Sequence, residues 1–574
     1  MAAKISLHMP RFARDANGTR TPAAEAAGVW LPALALFAIF WTLYRWTATQ
    51  YNTFDAVSYA NEIGRLYPRT HDLHWLFHPH HLLFNATGYV LWRVSQAFGY
   101  IGGPLPVMEA WNATSGALGL VLYYLALRSL LQRSRWIPLL IAAGLGLSFG
   151  YWICATDARV NMPSTVLLLA AFWAACRLIQ TGDKRLAALA GALSGLAILY
   201  HESAGLFLVV GAAAALLAHQ EDDLPARAAW KHRWTLAAIY LVSSLALVLI
   251  VYAIVGIVAL RFHSLGEFRR WSSEYAELGW WWNFEILRNI RLDAYAFRRA
   301  AFVEPPGKQG TFHLSGAPTR LLAFYFTALL GWFVAVYAFF VALPLLWRTH
   351  IRPLLIVSLI WVIAYALFFT VWSPGYFVFW VPVLIPTGLL LALSLAHYRA
   401  GRTGLAVNWI LGVWIALYAV VNFMASIGPH QNTQSSPFRR IAMDVRRHTA
   451  PGDLIVAAGA GDAAQCEVDI PYFADRDCIS IHTMTTRARE NAVRSRETIQ
   501  AKIAQTLAAG NRVYVLDEVL SDKSVLDALH KRHPQIDRAQ IQETFRPWRR
   551  SIAWESSHGP VWSLEQDSAA VPAP

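Results

Sequence analysis

The sequence predicts a polytopic α-helical membrane protein that ends in a soluble α/β domain. Three observations carry that prediction. Apolar runs recur up to about Ile427 and then stop, and a hydrocarbon core of about 30 Å needs roughly 20 such residues per crossing. Hydrophobic residues make up 56% of the chain and charged residues only 15%, a balance that excludes an ordinary large soluble enzyme. After Gly428 the composition turns polar, and strand-like runs alternate with helical ones, the pattern of a small α/β domain.

The runs predict about eleven transmembrane helices, at about 29–47, 105–131, 137–154, 163–180, 186–200, 203–219, 235–260, 321–347, 352–372, 376–397 and 404–427. Trp and Tyr cluster at run ends, where amphipathic rings settle at the headgroup level. The segment His81–Phe98 is apolar but carries Asn85, Arg93 and Gln96, and its Leu83, Val90, Leu91, Val94 and Phe98 share one helical face. It reads as a helix lying in the interface and not as a span.

Charge then sets the orientation. With a cytoplasmic N-terminus, the short inner loops carry Arg133 and Arg135, Lys184 and Arg185, Arg227 with Lys231 and Arg233, Arg348 and Arg352, and Arg399 and Arg402. All of them obey the positive-inside rule. The division is a cytoplasmic tail at 1–28, a membrane domain at 29–429 with long outer loops at 52–104 and 261–320, and an extracytoplasmic α/β domain at 430–574. Lys4, Arg11, Arg14 and Arg20 precede a full-length span with no small-residue cleavage site after it, so no cleavable signal is expected.

The net charge of +13 fits this orientation signal, and nucleic acid is not an expected partner. Four cysteines are too few for a disulfide scaffold. Cys154 and Cys176 read as small apolar residues of spans. A bridge between Cys466 and Cys478 is left open, because the tail would face an oxidising compartment. In that tail, Asp453–Ala458, Cys478–His482 and Arg512–Leu516 read as buried strands, and Pro437–Thr449 and Thr486–Ala509 as helices. Gly459-Ala460-Gly461-Asp462 reads as a tight turn, since a lone Gly pair is weak evidence for a phosphate loop.

The outer side collects the reactive side chains. Asp55 opens a helix just beyond the first span, where an acid is costly and tends to have a task; the alternative is that Thr53 or Asp55 caps that helix. Asp157 and Arg159 open on the same side after the third expected span. They fit either a site that deprotonates a nucleophile while gripping an anion or a plain internal ion pair. His71, His74, His78, His80 and His81 would suit a divalent metal ion, with Asp55, Asp72 or Glu109 as carboxylate. Their spacing matches no metal signature, so that ion is left open beside simple headgroup contact. His201-Glu202 ends another span. Arg269, Arg270, Arg288, Arg291, Arg298, Arg299 and Lys308 join Trp280-Trp281-Trp282 in the longest outer loop, a composition suited to anionic lipid headgroups or a lipid-linked phosphate. Asn-x-Thr matches at Asn17, Asn85 and Asn112 are short enough to arise by chance.

Certain of these residues form an ordered set: Phe54-Asp55-x-x-x-Tyr59, His78-Pro79-x-x-Leu82, Tyr151-Trp152 followed by Asp157-x-Arg159, Trp372-Ser373-Pro374 and Trp380-Val381-Pro382. In this order, and on one membrane side, the set resembles the GT-C superfamily of integral-membrane glycosyltransferases, nearest the bacterial protein-mannosyl and aminoarabinose-transferase type. The likeness covers roughly residues 29–427. His80-His81 departs from it, standing where a second proline or small residue is expected. So does His201-Glu202, in place of a lysine.

The resemblance implies a sugar carried on a polyprenyl phosphate, transfer outside the cytoplasm to a lipid, glycan or protein acceptor, and inversion at the anomeric carbon. Asp55 would be the general base, with Asp157 as a second catalytic carboxylate. Tyr59, His78, His80, His81, Arg159, His201, Glu202, Arg269, Arg270 and Tyr376 would bind substrate. The site would face the exterior of the inner membrane, among membrane lipids. Two alternatives stand beside this reading. A transporter or flippase of a lipid-linked saccharide would need mid-span ionisable residues and paired interrupted helices. A non-catalytic scaffold would bind an envelope partner through the tail.

Overall fold

The computed structural model describes residues 22–131, 134–219, 225–277, 281–302, 319–349, 351–398, 404–460, 464–488, 491–556 and 558–566. Arg133, Lys308, Arg399, Arg402, Trp280, Gly461, Asp462 and the residues before 22 lie outside that set. The chain packs as two compact units. The first comprises Met1–Ala48, Asp72–Gly102 and Pro106–Pro429, and the second Thr49–His71, Gly103–Leu105 and His430–Pro574.

The first unit is helical. Eight of its described helices are long and apolar enough to cross a membrane: Gly28–Trp46, Pro104–Leu130, Asn161–Thr181, Ala226–Ala259, Leu329–Trp347, Arg352–Phe369, Phe377–Ala396 and Leu405–Ile427. The expected span at 137–154 is a bent pair, Trp136–Gly146 and Phe149–Thr156, meeting at 63°. The bend follows from local chemistry. Ser148, extended at the N-cap position of the second helix, makes no side-chain cap there; its hydroxyl turns back and donates to the Leu145 carbonyl at 2.6 Å. Gly146 lies so close to Leu120 and Phe40 that a Cβ would meet them at 2.4 and 2.5 Å.

Two of the expected eleven spans fall short of the required length. Lys184–Tyr200 has 17 residues, and the segment after it opens as a 3₁₀ turn at Glu202–Leu206 before Phe207–Leu216. The two come as a pair, so the later helices keep the same sidedness with or without them. The helix Phe84–Ala97 has 14 residues, too few to cross.

Inside the bundle one apolar cluster joins these helices, with Trp361, Tyr123, Phe172 and Phe207 fully buried. Outside, Leu249, Ile257, Val258, Phe333 and Trp409 are exposed, as suits side chains that face lipid. Gly191 lets the helix Lys184–Tyr200 touch the backbone of Ala226–Ala253, for a Cβ there would lie 2.3 Å from the Tyr240 carbonyl. Small residues at such crossings permit the backbone approach on which membrane helices rely.

The second unit contains a five-stranded sheet in the order β2-β1-β3-β5-β4, with β1 Leu454–Ala457, β2 Asp477–Ser480, β3 Val513–Leu516, β4 Trp548–Ser556 and β5 Gly559–Gln566. The first three are parallel, and β5 runs antiparallel to both β3 and β4. Alternation along the strands sorts the core onto two faces. Leu454, Val456, Val513 and Val515 pack with Ile499, Ile503 and Leu529; Ile455, Ala457, Tyr514 and Leu516 pack with Ile441, Val445 and Ile470.

The expected strand at Cys478–His482 stops at Ser480, whose hydroxyl caps the helix Ile481–Arg487 by accepting from Thr483 N. The sequence reading contains no β4–β5 hairpin. Cys154, Cys176, Cys466 and Cys478 are all free thiols.

Candidate functional site

In the helical unit, polar side chains converge on a 3₁₀ turn, Pro79–His81. Proline at its start presets the tight turn, and His78, just before the turn, and His80 and His81 within it are all partly buried. The His78 and His81 rings stack with centroids 5.0 Å apart, and His80 Nδ1 lies 3.2 Å from Glu202 Oε2. The turn is held from two sides. Leu83 N donates to Leu199 O at 3.0 Å, and the Tyr252 hydroxyl donates to the Pro79 carbonyl. Tyr252 in turn meets Trp271 at 5.9 Å. Trp271 is the buried side of the helix Leu265–Glu277, while Arg269 and Arg270 on that helix are exposed.

His201 sits where the helix Lys184–Tyr200 ends in extended backbone. Its Nδ1 accepts from Ser203 N at 3.2 Å. An acceptor Nδ1 in a neutral imidazole leaves the proton on Nε2, so His201 presents an N–H donor. Burial pushes its pKa down to about 4, the Glu202 carboxylate opposing and His80 adding. Burial likewise pushes His81 well below the usual histidine range, with His78, His201 and His80 reinforcing it. Burial alone would raise Glu202, yet the hydrogen bond and charge of His80 bring it below the usual carboxylate range. The Glu202 carboxylate is therefore anionic near pH 7, and the imidazoles of His81 and His201 are neutral. Tyr376 reaches it through Phe379, whose ring lies 5.1 Å from Tyr376 and 5.9 Å from His201. Ser373 and Gly375, both at positive φ, shape the turn that places Tyr376.

Asp157 and Arg159 form a second group. The Asp157 carboxylate accepts from Ala158 N at 3.0 Å and faces Arg159 Nε at 3.3 Å, and both residues are buried. The internal ion pair is thus present. Sequence reasoning missed its keeper, Asn112, whose Nδ2 lies 2.7, 2.8 and 3.3 Å from the Asp157, Arg159 and Cys154 carbonyls. The signal was an amide in the middle of an apolar run, read only as an acceptor-motif match. Asn85 and Asn112 are fully buried, so neither is a surface glycan site. Trp111, next to Asn112, lies 5.2 Å from Phe84 and 5.7 Å from Tyr200. One helix, Pro104–Leu130, thereby holds the Asp157–Arg159 group and packs on Phe84 and Tyr200 beside the histidine turn.

Asp55 and Tyr59 belong to the second unit. Asp55 is exposed in the first turn of the helix Phe54–Asn61. Thr53 stands at its N-cap without a side-chain capping bond, so the Thr53 cap is not made. Tyr59 is buried, and the Ser58 hydroxyl donates to Glu62 Oε1 at 3.2 Å. Among the described residues no group of three or more His, Cys, Asp or Glu side chains is arranged to hold a metal ion.

No family model matches the chain, and no curated protein matches it. Solved structures do. ArnT from Cupriavidus metallidurans bound to undecaprenyl phosphate aligns over 96% of this chain and 100% of its own, with TM-score 0.51 and 14% identity. The apo state of that protein gives the same values. The archaeal oligosaccharyltransferase AglB from Archaeoglobus fulgidus aligns over 95% of this chain and 74% of its own, at TM-score 0.45 and 12% identity, too low to add to the comparison. The likeness to ArnT along nearly the whole of both chains shows that this chain shares the fold of that protein.

Proposed function

We propose that the protein transfers a sugar, hexosyl or pentosyl, from a polyprenyl-phosphate donor to an extracytoplasmic lipid, glycan or protein acceptor. The observation that carries this reading is the full-length fold match to a protein whose structure holds undecaprenyl phosphate. Asp55 acts as general base. Its carboxylate takes the acceptor hydroxyl proton as that oxygen bonds to the anomeric carbon. The bond from that carbon to the phosphate oxygen breaks on the opposite face, so configuration inverts and polyprenyl phosphate leaves as the anion. Base assistance of this kind contributes about 10²–10⁴-fold.

The leaving phosphate needs donors fixed in advance. The Nε2–H of His201, Tyr376 and the exposed Arg269 and Arg270 are suited to that work, and Arg159 adds positive charge held in place by Asp157. The protein works in the inner membrane with its site and α/β domain outside. Labelling of Asp55→Cys by an impermeant thiol reagent in whole cells tests that sidedness.

Among the described residues the transporter reading finds one supporting feature, the broken helix at 136–156, where it needs two related by a repeat. The assay supplies purified protein with a polyprenyl-phosphate-linked hexose or pentose and an envelope extract. Mass spectrometry then follows free polyprenyl phosphate and glycosylated acceptor. Movement of the intact lipid-linked sugar across liposomes, with no bond broken, would replace transferase by transporter.

A further inference from the structure

The segment that carries Asp55 is fastened at both ends to the α/β fold of its own unit. Ahead of Asp55, Gln50 N donates to His430 O at 2.7 Å, and Arg439 donates to Gln50 Oε1 at 2.5 Å. The Tyr51 and His430 rings stack at 5.0 Å, and Gln465 Nε2 donates to the Asn52 carbonyl at 2.8 Å. Asn52 is buried and lies three residues before Asp55.

Beyond Asp55 the anchor is Arg65. Its guanidinium donates to Arg476 O at 2.9 Å and to Asp477 Oδ1 at 2.7 Å, and its Nε lies 3.4 Å from Asp475 Oδ1. Arg69 joins the same two carboxylates at 3.5 and 3.6 Å.

The receiving turn is itself rigid. Asp475 holds a left-handed backbone at φ 53°. Arg476 donates to Thr449 Oγ1 at 2.9 Å, to Thr449 O at 2.6 Å and to Ala474 O at 2.9 Å. The Arg65 side chain is only 12% exposed, whereas its carboxylate partners are 52% and 72% exposed. A charged fork sheltered on that side and matched to three oxygens fixes direction as well as distance, which a loose surface pair does not. Between the anchors Glu62–Leu66 is π-helical, a local widening that changes which face the Arg65 end presents.

We infer that the α/β domain is the positioning element for Asp55, with Arg65 and Gln465 as positioning residues; this rests on the proposed role of Asp55 as base. The domain is then part of the catalytic apparatus and not an appendage. Its carboxylates Asp475 and Asp477 hold the helix whose other end meets the acceptor hydroxyl.

The test uses the full-length protein in detergent and reads two quantities, amide hydrogen exchange over residues 54–62 and steady-state transfer. Arg65→Ala is expected to speed exchange there and to lower kcat by about 10–100-fold, as small misplacements of a catalytic group do. KM for the donor is expected to change by no more than about twofold, since uniform binding is untouched. Arg65→Lys should recover part of the loss, and the reversed pair Arg65→Asp with Asp477→Arg most of it. Gln465→Ala should give a smaller change of the same kind.

Unchanged exchange in Arg65→Ala overturns the inference, and so does a kcat loss that neither Arg65→Lys nor the reversed pair recovers. Full turnover by Asp55→Asn would remove the base reading instead, and exchange over 54–62 would still decide whether Arg65 holds the helix.

Discussion

In the helical unit burial pushes the imidazoles of His81 and His201 down, whereas in the α/β unit it pushes the carboxyls of Asp469 and Glu518 up, each to about 7. One cause, loss of water around the charged form, neutralises bases in one region and acids in the other. The setting differs too. The helical unit hides polar groups within an apolar bundle whose outside is apolar as well. The α/β unit wraps a sheet with two cores and uses the sheltered Arg65 guanidinium on Asp475 and Asp477 to hold the segment that carries Asp55. Burial therefore serves a polar cluster in the first unit and a fixed shape in the second.

The largest break in this comparison comes from the bundle core. Trp361 is fully buried, with Phe207 at 4.7 Å and Phe172 at 5.5 Å. Trp361→Ala should destabilise the helical unit by about 3–5 kcal/mol, read by denaturant-dependent hydrogen exchange. Exchange in the β1–β3 amides should stay unchanged; equal loosening of both units would deny them separate cores. Asn112→Ala comes next. It strips the shared donor from three buried carbonyls and should cost about 2 kcal/mol. Transfer should fall with it if the Asp157–Arg159 pair needs that support, and a neutral substitution would remove Asn112 from the site.

The smallest effect is the sign of the pH response. A histidine folded at about 4 against an ordinary 6.5 binds fewer protons folded than unfolded between those values. Its contribution is therefore full above about pH 6.5 and lost as pH falls toward about 4. Carboxyls folded at about 7 against ordinary values of 3.8 and 4.5 bind more protons folded. Their contribution is full below about pH 4 and lost as pH rises through about 7. Acidification from about pH 7 to about pH 5 should therefore loosen the helical unit around His201 and tighten the α/β unit around Glu518. Local exchange at the two pH values checks this, and parallel movement would contradict it.

The sequence made the bundle legible because long apolar runs are a one-dimensional signal. Buried strands such as Ile455–Ala457 and Val513–Leu516 were legible for the same reason. The β4–β5 hairpin was not. Its Trp-Arg-Arg-Ser-Ile-Ala-Trp-Glu-Ser strand is mostly exposed, so it shows no apolar run to mark it. The short helices at 184–200 and 207–216 are apolar enough but too brief, and composition alone does not reveal where a helix breaks.

Of the candidate site, residue types and order were readable, but partners were not. His80 meets Glu202 across 122 positions, and Arg65 meets Asp477 across 412. Such meetings are set by packing, and nothing local announces them. Asn112 carried the clearest missed signal, a lone amide in an apolar helix, which has to find partners once buried.

Asp55 is the group on which the proposed reaction rests. The direct measurement is turnover of Asp55→Asn beside wild type, in one preparation with matched exchange profiles, on a polyprenyl-phosphate-linked sugar and an envelope acceptor. The expected result is a kcat about 10²–10⁴-fold lower with the fold intact. Equal turnover by the asparagine variant would contradict the role given to this carboxylate.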